Sequence, residues 1–228
     1  MIDGIIREII PDDGEYIYGF ADLSDLLSSR FKGHDYGIVI GKKLDDSIVD
    51  SIIEGPNESY YELYMETNEA LSGLIQRVSK ALKPEGVSSI PVEPTVPDEQ
   101  LDREKLLYDF SHKMAATRAG LGWIGKTALL VSKIFGPRLR LATVLIDHPP
   151  DNFGPVIDSS RCGDCFLCVK WCPAGAANGL LWEVGLKREA FFNPFRCWEK
   201  CLELSEKRIG KKVSICGICI SVCPVGRR

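Results

Sequence analysis

The first 161 residues contain no cysteine, although the chain carries nine. That absence excludes a disulfide framework spread through the fold and confines all thiol chemistry to the segment from Cys162 to Cys223. Histidine is scarce as well: His34, His112 and His148 stand far apart, and none forms a pair of metal-binding spacing. No apolar run approaches bilayer-spanning length. The opening MIDGIIREII, with Asp3 and Glu8 among its apolar positions, has neither the basic start nor the cleavage site of a secretory signal. The expected location is cytoplasmic, with no membrane partner. Positive charge is not in excess either, and a formal net charge of -4 offers phosphate backbones no overall attraction.

What is present is enough apolar surface for a packed core, 45% of 228 residues, in a length that suits one ordinary domain and a smaller one. The run Tyr36 to Ile40 reads as a buried strand, and Leu141 to Ile146 as another, stopped by Pro149 and Pro150. Two helices are expected between them. The first spans Glu58 to Leu82, where Leu71, Leu74, Ile75, Val78 and Leu82 recur at helical spacing, and Pro84 with Gly86 supplies the stop. The second begins after Pro91, Pro94 and Pro97, with Asp98 as its cap, and runs to about Ala119. Pro149 to Pro155 reads as a linker, so the expected domains are residues 1–155 and 156–228.

The cysteines of the second part repeat a pattern. Cys162-x2-Cys165-x2-Cys168-x3-Cys172-Pro173 is the full bacterial ferredoxin run, and Cys216-x2-Cys219-x3-Cys223-Pro224 echoes it with one cysteine fewer. Three closely spaced thiolates can wrap one 4Fe-4S cubane, while the fourth, three residues further on, reaches the other cluster. A zinc site has no use for the third close cysteine or for the Cys-Pro step. Crossover assigns Cys162, Cys165, Cys168 and Cys223 to one cluster and Cys216, Cys219, Cys172 and one remote cysteine to the other. Cys197 is the preferred remote ligand, leaving Cys201 as a small buried side chain.

Gly120-Leu121-Gly122-Trp123-Ile124-Gly125-Lys126-Thr127 matches the phosphate-binding loop pattern letter for letter. A true phosphate loop follows a strand and opens a helix, whereas this one follows a helical pattern, so nucleotide hydrolysis is not expected. Among the histidines, His112 is the candidate for chemistry, because it is expected to share a helix face with Asp109 one turn earlier.

The stretch from His112 through Arg118-Ala119-Gly120-Leu121-Gly122-Trp123-Ile124-Gly125-Lys126, followed by the two cysteine runs, resembles the epoxyqueuosine reductase family over roughly residues 98 to 228. That family reduces an epoxide on a tRNA base with cobalamin and two 4Fe-4S clusters, and shares its cobalamin-binding core with reductive dehalogenases. The resemblance implies an α+β fold: a nitroreductase-like α/β N-terminal domain carrying a base-off corrinoid, and a C-terminal ferredoxin-like double 4Fe-4S domain. It places Gly120, Gly122, Trp123, Gly125 and Lys126 along the cofactor cavity, with the glycines permitting close approach, Trp123 supplying apolar area and Lys126 a cation. The family's catalytic acid position falls on Leu106, so Tyr108, Asp109 or His112 would have to supply the proton. The chain also ends just after Cys223-Pro224, without the helical repeats with which longer members grip tRNA. The expectation is a short, divergent relative that accepts electrons from a small carrier protein of the ferredoxin or flavodoxin type. It would pass them through two clusters to cobalamin and reduce a small substrate, tRNA not being expected. The alternative is an electron-transfer module that reduces a partner protein's cofactor.

Overall fold

The computed structural model describes residues 2–96 and 98–227. In chain order these form α1 (Ile2–Ile9), β1 (Tyr16–Asp22), β2 (Tyr36–Lys43), α2 (Asp46–Asp50), α3 (Glu58–Leu82), β3 (Ser89–Val92) and α4 (His112–Arg118). There follow β4 (Gly122–Ile124), β5 (Leu130–Ser132), β6 (Leu139–Ile146), α5 (Leu167–Lys170), α6 (Arg188–Phe191), α7 (Pro194–Ile209) and α8 (Ile218–Ser221). Where the sequence reading drew one cut at 155/156, contacts along the chain group it into two discontinuous units. The first is Met1–Lys43, Thr67–Leu121 and Arg140–Ile157; the second is Leu44–Glu66, Gly122–Leu139 and Asp158–Arg228.

In the first unit a four-stranded sheet has the order β1-β2-β6-β3. β1 pairs antiparallel with β2, and β3 antiparallel with β6, Val92 facing Thr143. The two central strands are the continuous apolar runs seen in sequence, which is what burial on both faces demands. Leu71, Leu74, Ile75, Val78 and Leu82 on α3 are fully buried against Ile38, Ile40, Val144 and Ile146. Each such side chain contributes about 1.5–3 kcal/mol by leaving water. α3 ends where Pro84 and a left-handed Gly86 (φ 76°) stop it, at the boundary read from the sequence.

The second expected helix is corrected. Beyond a 3-10 turn at Asp98–Gln100 only its last turns are helical, as α4, and the cap is Ser111, whose side chain accepts from the Met114 N–H at 3.3 Å. The chain before it closes on itself through Asp102 and Leu107, whose backbones pair, with Leu106 at φ 49°. A residue at positive φ cannot sit in a right-handed helix, so the helix begins after this turn. Pro97 and the Asp98 side chain, the expected break and cap, lie outside the described residues.

In the second unit α7 is held at both ends: Asn193 accepts from the Arg196 N–H at 3.0 Å, Pro194 fills the first turn, and Gly210 closes the helix at φ 65°. Its residue Ile209 packs with Val49, Ile52, Tyr60 and Ile215. No helix among the described residues is long and apolar enough to cross a membrane.

Candidate metal centre

The two cysteine runs fold alike. Each places its Cys-x3-Cys-Pro on a single helical turn, Cys168 on α5 and Cys219 on α8, with Cys172 and Cys223 just beyond, and the two turns pack together. None of the nine cysteines is joined in a disulfide. In the first set burial, and then the neighbouring Cys162, Cys223 and Cys165, push the Cys168 thiol up to about 11. The Trp123 indole N–H donates to Cys162 Sγ at 3.4 Å, and the Val225 backbone donates to Cys223.

A second set lies beside the first. Cys201 is bonded to Cys197, with the sulfurs 4.0 Å apart, and to Cys216, contacts that hold the Cys201 thiol far above its ordinary range. The same bond to Cys201 draws Cys216 down to about 7. Burial, then Cys216 and Cys197, raises Cys219, to which the Thr127 hydroxyl is also bonded. Cys197 and Cys201 are both brought to this set, although Cys201 is only 6% exposed. Cys172 accepts from the Ala176 N–H at 3.4 Å.

Among the described residues no three cysteine, histidine or carboxylate groups converge on a single ion position. The donor chemistry fits a cubane, which takes one thiolate for each iron, with N–H and hydroxyl groups aimed at the sulfurs. Cys162, Cys165, Cys168 and Cys223 are the residues that would hold one cluster, and Cys216 and Cys219 would help to hold another.

The glycine-rich segment is not a phosphate loop. α4 precedes it, Gly120 turns the chain at φ 71°, and a strand follows, which is the reverse of the order that phosphate binding needs. The expected corrinoid-lining residues are spent on their own units. A Cβ on Gly120 would meet Pro155 O at 2.7 Å, one on Gly122 would meet Val131 O at 2.2 Å, and one on Gly125 would meet the Val131 side chain at 2.8 Å. The close approach these glycines allow is to this chain's own backbone and side chains. Trp123 is 7% exposed and Lys126 2%. β4 and β5 form a hairpin closed by the Gly125 N–H on Leu129 O at 2.8 Å, and Lys126 and Thr127 stand at its tip. From there Lys126 Nζ donates to the carbonyls of Gly163 (2.9 Å) and Cys165 (3.0 Å) and lies 3.7 Å from the centre of the Phe166 ring. Adjacent residues thus serve the two cysteine sets, Lys126 the first and Thr127 the second.

The candidate proton donors lie in the first unit and are not gathered as expected. Asp109 precedes α4 and faces Arg30 at 3.8 Å, so it shares no helix face with His112. Tyr108 donates to Gln100 Oε1 at 3.2 Å and lines a pocket with Arg30, Phe31 and Val92. Both ring nitrogens of His112 are engaged: Nε2 donates to the Glu93 carbonyl at 2.9 Å, so Nδ1 accepts from the Thr143 hydroxyl at 2.8 Å. Burial lowers its pKa to about 4, with Arg140 and Lys113 acting in the same direction against the Glu93 bond. With both nitrogens engaged the neutral imidazole is held in one tautomer, and the ring ties α4 to the sheet.

Sequence reasoning passed over Thr127 and Arg138. Thr127 was visible as the last letter of the phosphate-loop pattern, whereas nothing in IFGPRLRL distinguishes a fully buried arginine. The Arg138 guanidinium donates to Asp46 Oδ1 at 3.1 Å, Asp50 Oδ1 at 2.6 Å and Ser221 O at 3.3 Å.

No protein-family model matches the chain. Curated relatives do: an epoxyqueuosine reductase of Staphylococcus aureus is 29% identical over 136 residues, 60% of this chain and 35% of that protein. One of Pseudomonas aeruginosa is 32% identical over 116 residues, and one of Aliivibrio fischeri 26% over 182 residues, 78% of this chain and 45% of that protein. The chain is similar to the epoxyqueuosine reductases. It matches roughly a third to a half of their length. An epoxyqueuosine reductase solved with an epoxyqueuosine-modified tRNA-Tyr stem loop superposes with a TM-score of 0.62 at 16% identity, over 99% of this chain and 64% of that one. The catabolic reductive dehalogenase NpRdhA, solved with 3-bromo-4-hydroxybenzoic acid, superposes with a TM-score of 0.72 at 17% identity, over all of this chain and 31% of that one. The mixed α/β fold is therefore shared by this chain, epoxyqueuosine reductase and reductive dehalogenase.

Proposed function

We propose that this chain is an iron-sulfur oxidoreductase of the epoxyqueuosine reductase type. It would pass electrons from a small carrier protein through two 4Fe-4S clusters, held in a ferredoxin-like C-terminal domain, for the reduction of a small substrate. The observation that carries the reading is the gathering of Cys162, Cys165 and Cys223 around Cys168, a set that mixes both sequence runs as cluster crossover requires. Similarity to the epoxyqueuosine reductases supports the reaction class. Cys172 and Cys197 complete the second set with Cys216 and Cys219.

A corrinoid is the electron acceptor that the resemblance implies, and a related dehalogenase is described by a B12-dependent mechanism. Cobalamin would supply a metal able to carry two electrons to the substrate. The five residues that the resemblance places along it are packed within their own units. Anaerobic purification followed by iron, sulfide, cobalt and corrinoid analysis tests the proposal: about eight irons and eight sulfides per chain are expected. About four irons would remove the second cluster, and zinc in place of iron would overturn the reading. Two clusters without any corrinoid uptake under reducing conditions would leave an electron-transfer module.

A further inference from the structure

The glycine-rich segment has no part in the function proposed above, yet it carries buried, hydrogen-bonded groups beside the cysteines. Reducing a cluster adds one negative charge, so groups that stabilise negative charge at its sulfurs raise its reduction potential. We propose that Trp123 and Lys126 are tuning residues, which hold the potential of the cluster bound by Cys162, Cys165, Cys168 and Cys223 above that of its neighbour. The inference rests on the two-cluster reading.

Trp123 acts directly, since its indole N–H donates to Cys162 Sγ at 3.4 Å. Lys126 acts through charge. Its ammonium is buried, 2% exposed, and is fixed by the carbonyls of Gly163 and Cys165, both within the loop that carries the first three thiols. At that burial its field is screened far less than that of a surface lysine. The Phe166 face at 3.7 Å holds the ammonium in place. The second set receives a neutral hydroxyl from Thr127 at the equivalent place in the hairpin tip. Exposure works in the same direction, because Cys165 of the first set is open to solvent while Cys172, Cys197, Cys216 and Cys219 of the second are only partly exposed. The pattern Gly125-Lys126-Thr127, which imitates phosphate binding, thus presents a cation to one cluster and a hydroxyl to the other.

The test is an anaerobic reductive titration with dithionite followed by electron paramagnetic resonance, each cluster taking one electron. Wild type should show two midpoint potentials. Cys216→Ala, which removes a ligand of the second set, should leave only the higher one. Trp123→Phe keeps an aromatic ring and loses the N–H, and Lys126→Met keeps the length and loses the charge. Each should lower the higher potential and leave the lower one unmoved, while Lys126→Arg should restore it. Clusters present with unmoved potentials, or both potentials shifted equally, would overturn the tuning and leave the two-cluster reading intact. A wild type without iron-sulfur signals would overturn both. Should Lys126→Met fail to accumulate, the Trp123→Phe titration and the potential left in Cys216→Ala decide the matter.

Discussion

Acid should loosen the first unit through one side chain, His112. Its folded pKa of about 4 lies below the ordinary 6.5, so the open form binds the proton first. The stabilisation that follows is complete above 6.5 and is lost as pH falls from 6.5 towards about 4. Between about pH 7.5 and 5 the linkage relation gives a loss of roughly 2 kcal/mol, or about 30-fold in the opening equilibrium. The strand β6 reports it, because Thr143 bonds the ring directly. Amide hydrogen exchange of β6, corrected for the intrinsic pH dependence and read by mass spectrometry, should lose about 30-fold in protection in the wild type. His112→Gln, which has no titrating ring, should not show this loss. An equal pH slope in wild type and variant would refute the argument that His112 is buried and neutral.

Three further outcomes follow from the packing. Cys197→Ala should lose one of two clusters while Cys201→Ala keeps both, judged by iron content; the reverse result would exchange the two assignments. Gly122→Val should open the β4–β5 hairpin, since its Cβ would fall 2.2 Å from Val131 O, and iron content should drop with it. Retention of both clusters in that variant would show that the hairpin does not support them. Leu74→Ala, at a fully buried position on α3, should cost about 2–5 kcal/mol in urea unfolding, and a loss under about 1 kcal/mol would mean that the site collapses around the smaller side chain.

The sequence by itself determined the elements whose signal is local and repeated. α3 needed only its helical spacing and the Pro84 and Gly86 stop, and β2 and β6 only their continuous apolar runs. β1, β3 and the β4–β5 hairpin escaped that reading, because Tyr16–Asp22 mixes polar and apolar residues, Ser89–Val92 contains a proline, and Gly122–Ile124 is three residues long. Such strands are stabilised by cross-strand partners distant in sequence, and no local pattern records those. The tertiary structure decided the rest. It began α4 at Ser111, turned His112 inward onto Thr143 and Glu93, and gave the glycines to their own chain's packing. It also set Lys126 and Thr127 against different cysteine sets. A motif states which groups are available, but the partners that consume their hydrogen bonds and charges come from remote segments, so only the folded chain assigns each its work.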